Sequence, residues 1–410
     1  MTAYRIKDVT RINRRILPED TDPGYTFKYI DISGVDGIGN IDIPNEHVTF
    51  AAAPSRARRL APNGAVLVST VRTYLRAIAA VPVSQDPLVF STGFAVLEAG
   101  PEIESRFLGY YCHSQPFVDD IVARSTGVSY PAINASEIGN LAVPLPPLEQ
   151  QRRIADFLDA ETARIDRLAE RYQKLSDLAV ERARAVIDKA LMGLSAESSV
   201  PASAVCSAIV DCVNKTAPTS TEATPYRMIR TSNIRNGEVN LSETFSVERR
   251  VFIEWNRRGT PRNGDILFTR EAPLGQVGML HTDASVFLGQ RIMLYRANEN
   301  VLKKELLLYN FLGSHMGRQL RLLGAGSLHE HVRVGDCLKL RIYCPPRTQQ
   351  DGLVAEIEAG REKSLRLATL AKRQLALLAE RRQALITAAV TGQFDVSTAS
   401  GRNVTDGVTA

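Results

Sequence analysis

Few residues in this 410-residue chain are spaced for covalent chemistry. No Gly-x-x-x-x-Gly-Lys-Ser/Thr loop is present to cradle nucleotide phosphates, which argues against motor or kinase chemistry. No Asn/Asp-Pro-Pro-Tyr/Phe element, the kind that grips a flipped adenine in amino-methyltransferases, occurs. Gly34, Gly37 and Gly39 cluster without a convincing buried strand before them, so no dinucleotide or methyl-donor site is expected there. Cys206 and Cys212 lack the matching Cys or His pairs of a zinc site. His329 and His331 flank Glu330 on a loop with no thiolate companion, and hydrogen bonding suits them better than metal ligation. Gly313-Ser314-His315-Met316-Gly317 lacks the spacing of a nucleophile elbow. The expectation is a binding protein with no catalytic residue, no metal and no cofactor of its own.

Composition sets the frame for whatever is bound. A hydrophobic fraction of 44% with 23% charged residues is that of an ordinary folded protein, long enough to bury more than one core. Five cysteines at irregular spacing do not make a disulfide framework. No apolar run approaches the ~20 residues that span a bilayer. Met1-Thr2-Ala3-Tyr4-Arg5 does not open a signal peptide, so a reduced, cytoplasmic protein is expected. The net charge of +5 neither demands nor excludes nucleic acid. Basic clusters occur at Arg56-Ala57-Arg58-Arg59, Arg249-Arg250 and Arg257-Arg258; each by itself suits a solvated face.

The elements that would position a binding surface come in two copies. Pro146-Pro147-Leu148-Glu149-Gln150-Gln151 returns as Pro345-Pro346-Arg347-Thr348-Gln349-Gln350, and Ala190-Leu191-Met192-Gly193 as Ala389-Val390-Thr391-Gly392. Asn63-Gly64-Ala65-Val66-Leu67 is answered by Asn263-Gly264-Asp265-Ile266-Leu267, and Tyr29-Ile30-Asp31-Ile32-Ser33 by Met228-Ile229-Arg230-Thr231-Ser232. The offset is 199 or 200 residues throughout, too long for a solenoid of small stacked units. Each copy is a globular part followed by a long charged helix. Two similar sites at a set separation suit a target with two halves.

The helical parts start at the proline pairs, which are tolerated just before or within a first turn, and end at Gly193 and Gly392. Ile165, Leu168, Tyr172, Leu175 and Ala179 step by three and four, as do Ala368, Ala371, Leu375, Leu378, Arg382, Leu385 and Ala389: the seams of helices packed on helices. Each helix would have about 44 residues and reach ~65 Å. Gly360 marks a kink or a looser start. The two helices are expected to pair antiparallel within the chain, around an approximate twofold axis; dimerisation of two chains through a four-helix bundle is the rival arrangement.

The fold class expected is α+β. Strand-like runs at Ala65–Ser69, Phe94–Glu98 and Leu141–Val143 recur at Asp265–Thr269, Ile292–Tyr295 and Leu340–Tyr343, with helical segments at Glu104–Ser114 and Lys303–His315. The organisation read from the sequence is a first module at 1–145, a helix at 146–193 and a linker at 194–201. A second module follows at 202–344, a second helix at 345–395 and a disordered tail at 396–410. The copies agree at their edges and diverge between, where Ser69–Arg76 faces Thr269–Gln276 and Thr126–Pro131 faces Ala325–Glu330. A shared scaffold with different loops implies that the halves recognise different things.

From Tyr4 to about Val396, and most strongly over Leu145–Ala155, the sequence resembles the specificity subunit of type I restriction–modification systems. The second copy departs from the pattern with Thr348-Gln349 and Asp351-Gly352. The resemblance implies two target-recognition domains that read the halves of a bipartite double-stranded DNA site, with the paired helices as a ruler for the unread spacer. It implies two modification (methyltransferase) subunits as partners, which carry S-adenosylmethionine and methylate adenine N6. Two restriction (motor–nuclease) subunits would complete the complex, and no membrane is involved. Base edges are distinguished mainly in the major groove by donor-rich side chains. On that basis the candidate DNA contacts are Ser69, Arg72, Tyr74, Arg76, Thr126, Ser129, Tyr130 and Asn134 in the first module. In the second they are Arg270, Gln276, Gln290, Arg291, Ser327, His329, His331 and Arg333. The rival readings are a coiled-coil scaffold that binds proteins and, more remotely, a stand-alone DNA methyltransferase or nuclease.

Overall fold

Proline lacks the N–H that a helix interior needs, and both proline pairs stand immediately before a long helix. The helices, Leu148–Met192 and Arg347–Thr391, have 45 residues each and start one residue after Pro147 and Pro346. The computed structural model describes residues 3–127, 130–193, 198–324 and 331–396. Two compact units share the helices between them: residues 1–172 with 373–410, and residues 173–372.

In the first unit a four-stranded antiparallel sheet runs in the order Thr10–Ile12, Phe94–Ala99, Val66–Ser69, Ile78–Ala80. Val66, Val68, Ala95 and Leu97 point to one core, Leu67, Phe94 and Val96 to another. A sheet covered on both faces explains why its strands read as continuous apolar runs rather than alternating ones. A five-stranded sheet follows, with Thr26–Ile30 and Leu88–Ser91 paired in parallel. Helices Ser105–His113 and Gln115–Arg124 cover the first sheet through Phe107, Leu108, Phe117 and Ile121.

The second unit repeats the plan with a longer sheet of six strands. Cys206–Asp211, Ile292–Ala297 and Ile266–Thr269 form its antiparallel heart. The parallel pair is Tyr226–Ile229 with Ser285–Leu288, and the covering helices are Lys304–Leu312 and Ser314–Gly324. Ser199–Pro201, expected within the linker, is a strand paired with Arg341–Tyr343. Proline is compatible with such a two-stranded edge because one side of the strand needs no ladder donor. Residues 194–197, and the tail beyond 396, lie outside the described residues.

The helix pairing is antiparallel in each unit. In the first, Ile154, Leu158 and Ile165 share a core with Leu385, Ile386, Ala389 and Val390, and Asp166 lies 3.3 Å from Arg382. In the second, Ile187, Ala190 and Leu191 share a core with Val354 and Ile357. The seam of the second helix is as expected from its spacing, whereas the first helix's is shifted by one residue at Leu175. Leu175 is 36% exposed while Ser176 is 1% exposed. Hydrophobicity drew the reading to leucines, but small residues such as Ser176, Ala179 and Ala183 occupy the buried positions. Gly360 lies inside a helix that runs unbroken from Arg347 to Thr391. A Cβ there would lie 2.7 Å from Val186 Cγ1, so glycine admits the other helix.

The Pro-Pro-x-x-Gln-Gln repeat has a structural cause. Gln151 is fully buried; its amide oxygen accepts from the Glu104 N–H (2.8 Å), and its NH2 donates to the carbonyls of Glu102 (3.0 Å) and Pro146 (2.8 Å). Gln350 accepts from the Lys303 N–H (2.9 Å) and donates to the carbonyls of Val301 (2.8 Å) and Pro345 (2.9 Å). The same three bonds, 199 residues apart, fix the start of each long helix to its module. A second joint repeats likewise. The N–H of Gln115 donates to Thr387 Oγ1 (3.0 Å) and the His113 carbonyl accepts from Gln383 (2.8 Å). At the equivalent positions the Ser314 N–H donates to Asp188 (2.7 Å) and the Leu312 carbonyl accepts from Arg184 (3.2 Å).

Candidate nucleic-acid interface

In the first module the turn after strand Val66–Ser69 meets the segment that follows helix Gln115–Arg124. Thr126 and Ala132 exchange backbone hydrogen bonds of 2.9 Å, the Arg72 N–H donates to Pro131 O (2.8 Å) and the Ile133 N–H to Thr70 O (2.9 Å). The hydroxyls of Thr73 and Ser125 lie 2.8 Å apart. Arg72 and Arg76 both sit in the left-handed region, at φ 48 and 56, a conformation that costs a side-chain-bearing residue about 1 kcal/mol or more. Crowding the turn this way brings the Arg72 guanidinium 4.4 Å from the ring centre of Tyr130, which is 65% exposed. Among the described residues Arg72 has no ion-pair partner.

The other candidates of this module divide. Tyr74, Thr126 and Asn134 are exposed. Arg76 is directed back to the side-chain oxygen of Gln115. Ser69 is buried, and its hydroxyl donates to Val71 O at 2.7 Å; it shapes the turn rather than facing solvent. Ser129 lies outside the described residues.

The second module gathers its candidates differently. Arg270 joins two neighbouring segments, its N–H donating to Arg291 O (2.8 Å) and its carbonyl accepting from Val332 (3.1 Å). Its side chain is only 12% exposed and lies 3.2 Å from Asp211, which Arg258 also pairs at 3.1 Å. Burial with a carboxylate makes Arg270 a strut of the fold. Arg72 of the first module, also a donor that follows a strand, is left without an acid among the described residues. Arg291, at φ 70, pairs with Glu271 at 3.3 Å and remains half-exposed. Gln276 is half-buried, its N–H donating to Thr269 Oγ1 (2.9 Å). Gln290 is half-buried beside Arg291. His331 and Arg333 are exposed, and the Arg333 carbonyl receives the first bonds of the short helix Val334–Cys337. Ser327 and His329 lie outside the described residues.

One cation escaped the sequence reading. The Arg230 guanidinium stands 4.1 Å from the Phe245 ring centre, beside Gln290 and Arg291. Its signal was present in the repeat, where Asp31 of the first copy faces Arg230 of the second, a reversal of charge within an otherwise matched segment. Stacking on an aromatic face holds a guanidinium in place and leaves its edge free to donate. Among the described residues no group of three or more His, Cys, Asp or Glu could hold a metal ion, and no helix is long and apolar enough to cross a membrane.

Two α+β modules, each bolted to a long helix by the same bonds, define a duplicated architecture. Residues 1–176 match the family of the type I restriction modification DNA specificity domain. The type I restriction enzyme EcoBI specificity subunit of Escherichia coli is 22% identical over 208 residues, 45% of this chain and 44% of that one. The EcoKI specificity subunit of Escherichia coli K12 is 25% identical over 191 residues, 44% and 41% of the two chains. The matches thus span less than half the length of these curated relatives. A chain from a structural study of complex assembly and conformational transition in a type I R-M system superposes with a TM-score of 0.67. It is 23% identical, with 96% of this chain and 98% of that one covered. The likeness to the specificity subunits of type I restriction–modification systems thus rests on residues 1–176 for the family and on less than half of the chain for the curated relatives.

Proposed function

We propose that this chain is the DNA-sequence-specificity subunit of a type I restriction–modification complex. Each module reads one half of a bipartite double-stranded site, and the long helices set the unread spacer and dock two modification subunits. The chain performs no catalysis. S-adenosylmethionine belongs to the modification subunits, which methylate adenine N6, and two restriction subunits complete the nuclease. The observation that carries this reading is the contrast between constant joints and variable loops. Gln151 and Gln350 make the same bonds, while the recognition loops place Arg72 on Tyr130 in one module and Arg230 on Phe245 in the other. Phosphate contacts position such a protein and side chains at base edges specify the sequence. The test is selection of duplexes from a random pool by the full chain bound to its modification subunit. Two fixed blocks of bases flanking an unread gap are expected; one contiguous block, or no enrichment, contradicts the proposal.

A further inference from the structure

In the second module the loops around Arg230 enclose a cavity of about 270 Å³, lined among others by Thr216, Arg230, Thr231, Gly289, Gln290 and Arg291. Its charge is not balanced from within. Arg230 forms no ion pair among the described residues, and its buried Nε has no acceptor. The ring of Phe245 under the guanidinium, 4.1 Å from centre to Cζ, restrains it from folding away. The Thr216 hydroxyl and the Gln290 amide add donors that have no protein partner among the described residues. Arg291 adds a second cation at the rim, part-neutralised by Glu271 at 3.3 Å.

We infer that this cavity is a clamp for one DNA backbone phosphate, an assignment that rests on the DNA-recognition reading above. The shape decides between phosphate and base. A base edge lies at the floor of a groove ~8.5 Å deep, so its reader must project from the protein, and a guanidinium set into a recess cannot do so. A phosphate projects from the duplex and enters a recess. The first module has no counterpart, because Asp31 occupies the position of Arg230. The Asp31 carboxylate accepts from the Ile32 N–H at 2.8 Å and lies 3.9 Å from Arg56. A carboxylate there repels an anion, so the clamp grips the second half-site alone.

The experiment is DNA binding by the full chain with its modification subunit, across a series of salt concentrations, for wild type, Arg230→Gln and Arg230→Lys. Loss of one phosphate contact makes the slope of log affinity against log salt shallower by about 0.9. Arg230→Gln is expected to show that change and to bind roughly tenfold more weakly to cognate and unrelated duplexes alike, reading the same bases. Arg230→Lys, which keeps the charge, is expected to retain the slope; equal thermal unfolding of all three excludes a folding defect. Relaxed preference at a single base pair would make Arg230 a base reader and overturn the clamp. So would an unchanged slope and affinity in Arg230→Gln. If the wild-type complex itself shows no salt-dependent DNA binding, the DNA-recognition reading falls, a result distinct from wild-type binding with an indifferent variant.

Discussion

Replacement of Gln151 by leucine removes three hydrogen bonds at one buried point. The Glu104 N–H and the carbonyls of Glu102 and Pro146 lose their partner, in a site where Gln151 is fully buried. A buried polar group left unsatisfied costs about 1–3 kcal/mol. Some of the three recover water at the surface, so the expected loss is about 3–5 kcal/mol. With a urea m-value near 2.5 kcal/mol/M for the unfolding unit, toward the upper end of the range for small proteins, the midpoint falls by roughly 1.2–2 M. Gln350→Leu breaks the same three bonds in the other unit and is expected to cost the same within ~1 kcal/mol. The neighbouring Gln150 and Gln349 are exposed, and their replacement is expected to stay within about 0.5 kcal/mol. Urea unfolding followed by circular dichroism, with each unit monitored by a local fluorophore, measures all four. If Gln150→Leu costs as much as Gln151→Leu, or if Gln151→Leu leaves the midpoint unmoved, the motif is not a clamp and the reasoning fails.

Four further outcomes follow from the same geometry. Gly360→Ala is expected to destabilise by about 1–2 kcal/mol through overpacking against Val186, and Val186→Ala in the same chain should relieve it; an additive double variant in thermal unfolding contradicts the close contact. Burial, with Arg382 and Arg76 nearby, lowers His113 to about 4, and burial lowers His315 to about 4 against the opposing pull of Asp188. Both are neutral in the folded chain, so their contribution is complete above pH ~6.5 and is lost as pH falls toward 4. Each loss is on the order of 2–3 kcal/mol, so the wild-type unfolding midpoint should fall between pH 7 and 4.5 by more than that of a His113→Gln/His315→Gln variant; equal falls would contradict it. Arg270→Ala is expected to lower stability by about 1–3 kcal/mol in thermal unfolding by breaking a partly buried pair with Asp211, which keeps Arg258 as its other partner. Arg72→Ala should leave the melting temperature unchanged while weakening DNA binding by about 1–3 kcal/mol.

The sequence made the scaffold legible wherever one physical demand dominates. Proline pairs mark the helix starts because proline has no place inside a helix. Val66–Ser69 and Phe94–Ala99 stand out because both of their faces are buried. Short strands such as Ser199–Pro201 were missed, since three residues carry no periodic signal and their partner is 140 residues away. The shift of the first seam from Leu175 to Ser176 has the opposite cause: close helix packing selects small residues, which a hydrophobic pattern undervalues. The binding surface was harder to read. Arg72 and Arg270 look alike as donors after a strand, and only the placement of Asp211, 59 residues earlier, turns one into a strut. Arg230 was hidden because its partner is a ring, Phe245, and because a single charge reversal between copies is a quiet signal.

The central claim is that two different half-sites are read by one chain. Single-molecule methylation sequencing of DNA from cells expressing this chain with its modification subunit tests it most directly. The account predicts N6-methyladenine in both halves of a bipartite motif, with Arg72→Ala altering the half read by the first module and leaving the other intact. A stable complex that methylates no specific site, or a single contiguous motif, would contradict it.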